Sequence, residues 1–319
     1  MTMLRTERKY VEILRILKDH QEPMGAKRLS ELMADRGYVL SDRAVQYYLS
    51  YLDAMGFTEK VGNQGRILTR EGIAESENAL VEDRIGFVIS KLERLAFRST
   101  FDPQSGTGDV AYNLTMIPEE QLEGVCTAFD EVIRKKLGFF SSYHVVDQDP
   151  RIPAGSTGIM TICSITMDGV LQRRGVPVRM AYGGRLAIEG GEPFQFLDLI
   201  GYRGTTIDPL QLFISAGLTS ISTMMETSNG TVLANVREVP VAAGPQVKEL
   251  SAQMRSCGFE YPVSMGTSLF NLRPDPYRLS IVAFSGMNFV GNAVERGYRI
   301  TTEIGAGNIS FSRITDTNR

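Results

Sequence analysis

Ser41-Asp-Arg-Ala-Val45-Gln-Tyr-Tyr-Leu-Ser50-Tyr-Leu-Asp-Ala-Met55-Gly56, followed at once by Phe57-Thr-Glu-Lys-Val61-Gly62-Asn63-Gln64-Gly65-Arg66-Ile-Leu-Thr69, reads as a helix running into a hairpin. Ser41 stands as an N-cap, Val45, Tyr48, Leu49 and Leu52 share one face, and Gly56 ends the helix. Gly62 to Gly65 supply turn chemistry between strands Phe57 to Val61 and Arg66 to Thr69. Upstream, Pro23 and Gly25 separate two amphipathic stretches. Arg5 to His20 carries Tyr10, Ile13, Leu14 and Leu17 at helical spacing, and Ala26 to Arg36 carries Leu29, Leu32 and Met33 before Gly37. Three helices and a hairpin predict a winged helix-turn-helix over residues 1–75, with the third helix in a DNA major groove and the hairpin on the backbone. Ser41, Arg43, Gln46 and Tyr47 are the expected reading residues, Arg66 the wing contact, and Lys27 and Arg28 the phosphate clamps. A protein-interaction adaptor fits the same element order, because the segment is not strongly basic.

The whole chain of 319 residues has a formal net charge of −3, so attraction to phosphate must come from a local face. Cys126, Cys163 and Cys257 lie far apart and are odd in number, which argues against a disulfide framework and for a reducing cytoplasm. No apolar run approaches the ~18 residues of a membrane span, and Met1 to Tyr10 mixes charges, unlike an export signal. A soluble cytoplasmic protein is expected. His20 and His144 are the only histidines, and no zinc-protease, nucleophile-elbow or paired-cysteine motif is present, so neither metal nor catalysis is expected. Glu119-Glu120 suits the first turn of a helix, and Gly106-Thr107-Gly108 lacks the lysine of a phosphate loop. The open alternative is a small-molecule enzyme with a fused DNA-binding controller.

Residues 76–98 read as a linker, with Arg84 to Phe97 helical through Ile85, Val88, Ile89, Leu92 and Leu95. Packing of this helix against a second copy would set two readers at half-site spacing, so a homodimer is expected. Beyond it the text repeats. Gly108-Asp-Val-Ala-Tyr-Asn113-Leu-Thr-Met-Ile-Pro118 matches Gly230-Thr-Val-Leu-Ala-Asn235-Val-Arg-Glu-Val-Pro240 at a constant offset of 122 residues. Helices at Glu119 to Leu137 and Gln246 to Cys257, strands at Gly158 to Ile165 and Leu279 to Phe284, and short helices at Val170 to Gly175 and Gly291 to Gly297 follow in both copies. The fold class is therefore mixed α/β. The regulatory domain is expected over 84–319, as two homologous units of about 84–185 and 205–310 packed about a pseudo-twofold cleft.

Between the repeats, a hairpin over Gly190-Gly191 links strands Leu186 to Glu189 and Phe194 to Leu199. It is flanked by Tyr182-Gly183-Gly184-Arg185 and by Arg203-Gly204-Thr205-Thr206. Glycine admits backbone amides to an anion, arginine offers a carboxylate fork and threonine completes the shell, so Gly183, Gly184, Arg185, Arg203, Thr205 and Thr206 are the candidate site for a small dicarboxylate. The opposing reading makes these glycines plain turns and gives Asp208, before Pro209, the helix amides that an anion would need.

Gly183-Gly184-Arg185-Leu186, Gly204-Thr-Thr-Ile-Asp208-Pro-Leu210, Thr227-Ser-Asn-Gly230 and Arg237-Glu-Val-Pro240 resemble the nitrogen regulatory repressor (NrpR) family of prokaryotes. The resemblance covers nearly the whole chain. It implies a dimeric repressor that binds a double-stranded operator at nitrogen-fixation and ammonium-assimilation genes and is released by 2-oxoglutarate, an effector rather than a cofactor. Some members carry two regulatory domains or divide the parts between proteins, whereas this chain has one of each.

Overall fold

The computed structural model describes residues 5–78, 87–146, 148–273 and 275–315. The chain is a mixed α/β protein of two compact units, Met1–Arg84 and Ile85–Arg319.

The first unit runs α1 (Arg5–His20), α2 (Ala26–Asp35), α3 (Asp42–Ala54), β1 (Thr58–Val61), β2 (Gly65–Leu68) and α4 (Arg70–Asn78). The helical stripes meet in one core in which Ile13, Leu14, Leu17, Leu29, Met33, Val45, Leu49 and Leu52 are buried. The Ser41 hydroxyl accepts from the Ala44 amide, closing the first turn of α3. β1 and β2 pair antiparallel from Thr58↔Leu68 to Val61↔Gly65. Met24 adds a third short edge, exchanging backbone hydrogen bonds of 3.0 and 2.9 Å with Arg66. Only glycine fits at 65, where φ is +129° and a Cβ would lie 2.1 Å from the Met24 carbonyl carbon.

The second unit opens on α5 (Phe87–Arg98); the sequence-predicted start of this helix, residues 84–86, lies outside the described residues. There follow β3 (Asp109–Pro118), α6 (Leu122–Arg134), β4 (Tyr143–Val146), β5 (Ser156–Ile162) and α7 (Ile165–Arg173). The connecting hairpin is β6 (Arg179–Glu189) and β7 (Glu192–Gly201), succeeded by α8 (Pro209–Ser215) and α9 (Ile221–Thr227). The second repeat is β8 (Gly230–Pro240), α10 (Gly244–Ser256), β9 (Ser264–Gly266), β10 (Arg278–Phe284), α11 (Met287–Glu295) and β11 (Thr301–Ser310), ending in α12 (Phe311–Thr315).

Strand pairing does not follow the repeat. One antiparallel sheet has the order β11-β3-β5-β4 and the other β7-β6-β8-β10-β9. β6, the last strand of the first repeat, pairs with β8, and β11, its counterpart in the second, pairs with β3. The repeats have exchanged their final strands. The sheets therefore cut across the repeats expected at about 84–185 and 205–310: one sheet draws on 109–162 and 301–310, the other on 179–284. The core is shared accordingly, with Val110, Leu114 and Phe139 packed in one cluster with Val239, Phe259, Tyr261 and Ile281. Helix α7 also begins earlier than its sequence reading, directly after β5, and the strand expected to reach Ile165 ends at Ile162.

Candidate functional site

On α3, burial of Val45, Leu49 and Leu52 turns Arg43, Gln46, Tyr47 and Ser50 outward, and Tyr47 is 67% exposed. This face carries charge, amide, phenol and hydroxyl, the groups that read base edges. Asp42 accepts from the Ser30 hydroxyl at 2.7 Å, which pins the start of α3 to α2. Ser41 is occupied as the cap. Lys27 and Arg28 are exposed at the start of α2, Arg28 beside Glu31 at 3.3 Å. Tyr51 stacks on Tyr10 with centroids 4.5 Å apart and belongs to the module's own aromatic edge.

Arg66, the expected wing contact, is engaged within its own unit. Its Nε donates to Asp53 at 2.8 Å, the Thr58 hydroxyl donates to the other Asp53 oxygen at 2.6 Å, and the side chain is 14% exposed. Through that contact it ties β2 to α3. In sequence, an arginine at a strand start beside a turn looked free; its acidic partner lies on another element.

The candidate anion segment between the repeats is not gathered into one site. Arg185 gives Nε to Asp198 at 2.8 Å and Nη1 to the Leu218 carbonyl at 2.7 Å, with its guanidinium over the Phe213 ring. Gly183 and Gly184 lie within β6 and not in a turn; a Cβ on Gly184 would sit 2.6 Å from the Asp198 carbonyl, and one on Gly183 3.0 Å from Pro209. Their smallness serves close packing. Gly204, with φ of +96°, is a true turn glycine. Thr205 donates to the Tyr202 carbonyl, Thr206 is half-buried, and Arg203 is exposed without a hydrogen-bond partner among the described residues. Asp208 caps α8, accepting from the Leu210 amide at 2.9 Å and, more weakly, from Gln211.

A different site emerges from the duplicated motif. Asn113 and Asn235, the paired asparagines of β3 and β8, are both buried and line a cavity of about 20 Å3, room for roughly one water. Its other walls come in pairs at the same offset: Cys163, Ser164 and Ile165 face Ser285, Gly286 and Met287, the starts of α7 and α11. Two helix N-termini thus border one space; the Met287 amide is taken by Ser285 Oγ at 3.1 Å and the Ile165 amide by the Cys163 sulfur, so what the helices add is the positive end of each dipole. Tyr202, from the connecting segment, donates to Asn235 Oδ1 at 2.9 Å, and Asn235 Nδ2 donates to Ser164.

Arg237 completes the cavity and is wholly buried. Nε and Nη2 donate to Asp168, the shortest contact being 3.0 Å, and Nη2 also to Ser164 Oγ; Nη1 has no hydrogen-bond partner. Burial opposes the charge on Arg237, yet its pKa lies above the ordinary value because Asp168 favours the cation. Burial likewise pushes the Asp168 carboxyl upward against the pull of Arg237. An idle buried guanidinium N–H costs about 1–3 kcal/mol or more. It can form a charge-assisted bond with an entering oxyanion. The pair breaks the pseudo-symmetry, since the positions matching Arg237 and Asp168 are Thr115 and Val290. In the sequence Arg237 stands out only within a family string, although a polar residue recurring inside two apolar strands, Asn113 and Asn235, marks the place. Burial pushes Asp208, also on the wall, up to about 6, and the Cys163 thiol to about 11. No cluster able to hold a metal ion occurs among the described residues, and none of their helices is long and apolar enough to cross a membrane.

The chain thus combines a winged helix with a duplicated α/β domain that holds a small polar cavity. Residues 85–316 match the model of the NrpR regulatory domains NRD1 and 2, and residues 11–75 match the ribonuclease R winged-helix domain. The chain belongs to the NrpR family of nitrogen regulators. It is 34% identical to the global nitrogen regulator NrpRI of Methanosarcina mazei, covering 93% of this chain and 94% of that protein. It is 31% identical to the global nitrogen regulator NrpR of Methanococcus maripaludis over 93% of this chain but 52% of that longer protein. In fold it is similar to the crystal structure of a nitrogen repressor-like protein from Methanococcus jannaschii, with a TM-score of 0.62 and 24% identity over 71% of this chain and 96% of the other.

Proposed function

We propose that the chain is a homodimeric repressor of nitrogen-fixation and nitrogen-assimilation genes that holds a double-stranded operator through α3 and is released when 2-oxoglutarate enters the cavity at Arg237. The observation that carries this reading is the unpartnered, fully buried Nη1 of Arg237 between two helix starts. A carboxylate meets there a guanidinium N–H and two positive helix ends. Arg203, exposed beside Tyr202, is the entry contact that draws the dianion toward the cavity. Lys27 and Arg28 neutralise phosphates while Arg43, Gln46 and Tyr47 reach base edges.

Because the charged pair exists in one half only, one effector binds per chain. The test is a gel shift on a nitrogen-assimilation promoter titrated with 2-oxoglutarate, run beside calorimetry for stoichiometry. In the double variant D168V/R237M, which replaces the buried pair with apolar groups and leaves no lone charge, operator binding persists and release by 2-oxoglutarate is lost. Arg203→Ala leaves repression intact and shifts the half-releasing concentration upward by about tenfold, the order of one lost charge contact. Full release in the double variant would rule out Arg237 as the carboxylate anchor.

A further inference from the structure

We infer that the bulge of β11, residues 304–306, carries the state of the cavity to α5, and that Lys91 is the positioning residue of that relay. The inference rests on the reading of the cavity as the effector site. The ladder between β11 and β3 is interrupted between Glu303 and Gly307, opposite Asn113. At that point β11 faces the cavity on one side and α5 on the other. Ile304 lines the cavity, and the Gly305 amide donates to Oδ1 of Asn113, which lines it too.

From the other side, Lys91 Nζ donates to the Ile304 carbonyl at 2.8 Å and to Glu303 at 3.3 Å. Leu95 packs on Gly305, where φ is +60° and a Cβ would meet the Leu95 Cδ1 at 2.7 Å. Leu92, directly after Lys91 in α5, is itself a cavity wall. Arg151 holds the far side of the same bulge through the Ala306 carbonyl and Glu303. The C-terminal end of α5 is fastened separately, Asn308 Nδ2 donating to the Leu95 carbonyl and Ser99 Oγ.

A cavity of about 20 Å3 cannot admit a small dicarboxylate without a wall giving way, since ligand pockets start near 300 Å3. Along β11 the stretch released from the backbone ladder to β3 is the bulge, held to that strand through the Gly305–Asn113 contact, so it is where the strand yields. Displacing it moves the acceptor of Lys91 and the surface under Leu95. α5 shifts with them, and α5 is the first described element after the winged-helix unit in the chain.

The test uses the full chain, operator DNA and 2-oxoglutarate. In the wild-type chain, effector weakens operator binding by about tenfold or more, and operator weakens effector binding by the same factor, as linkage requires. Lys91→Met keeps each separate affinity within about twofold and brings the mutual factor close to one, a result that loss of stability alone does not produce. Lys91→Arg, which can still reach the Ile304 carbonyl, restores the factor. If Lys91→Met fails to fold, Asn308→Ala decides, because it releases α5 from the same strand and is expected to reduce the factor. An undiminished mutual factor in the folded variant overturns the relay while leaving the cavity as the effector site. Absence of any effector binding to the wild-type chain overturns the cavity reading as well.

Discussion

Asp208 does two things that pull against each other. Its carboxylate closes the first turn of α8, accepting from Leu210 and Gln211, and it does so in a setting that disfavours ionisation. Burial raises it from 3.8 to about 6, while the two amides, Lys91 and Tyr202 pull it down, and Cys163 and Arg237 stand nearby. A carboxyl that binds its proton more tightly folded than unfolded stabilises the fold at low pH, and that contribution is lost as pH rises from about 4 to about 6. The loss is about 3 kcal/mol at most, at ~1.4 kcal/mol per pKa unit. Asp208→Asn keeps the cap, asparagine being as good an N-cap. Denaturant midpoints measured from pH 4 upward are expected to show the variant gaining on the wild-type chain across that window; parallel curves would mean that Asp208 ionises normally in the fold.

At the scale of elements, the wing is held and not merely appended. Arg66 reaches Asp53 of α3, Thr58 shares that carboxylate, and Met24 closes the ladder on the outer side. Arg66→Ala is therefore expected to cost about 1 kcal/mol of stability, a value tempered by the partial exposure of the pair. Its operator affinity falls while the slope of log affinity against log salt stays unchanged. A phosphate-contacting arginine would instead lower the slope by about 0.9. The helices and the hairpin of this unit were legible because they obey local periodicity: Val45, Leu49 and Leu52 point inward whatever follows them. The partner of Arg66 was not legible, because a side chain thirteen residues away in sequence becomes its neighbour in space only once the hairpin has folded back. The same limit hid Arg237, whose charge inside a strand reads as a surface residue until Asp168 and Ser164 are brought to it from α7 and its cap.

At the scale of the molecule, the duplication was legible from Gly108 to Pro118 against Gly230 to Pro240, and the strand exchange was not. Repeated text reports the order of elements, and β6 and β11 each had two equivalent strands to pair with. The exchange has a direct test. A fragment of residues 85–204 keeps β6 without β8 and β3 without β11, so circular dichroism is expected to show no cooperative melting for it. Adding residues 205–319 from a second polypeptide is expected to restore a transition. Independent folding of the shorter piece would mean that β6 can turn back onto β3.

The exchange also governs how the chain comes off the ribosome. β3 is made early, yet the strand that covers its open edge is made almost two hundred residues later. Throughout that interval a bare ladder of amides and carbonyls is exposed to any neighbouring nascent chain. Slow synthesis or crowding of polysomes should therefore favour intermolecular partners for β3, and a chaperone that shields this edge would raise the yield of active regulator without altering its final stability.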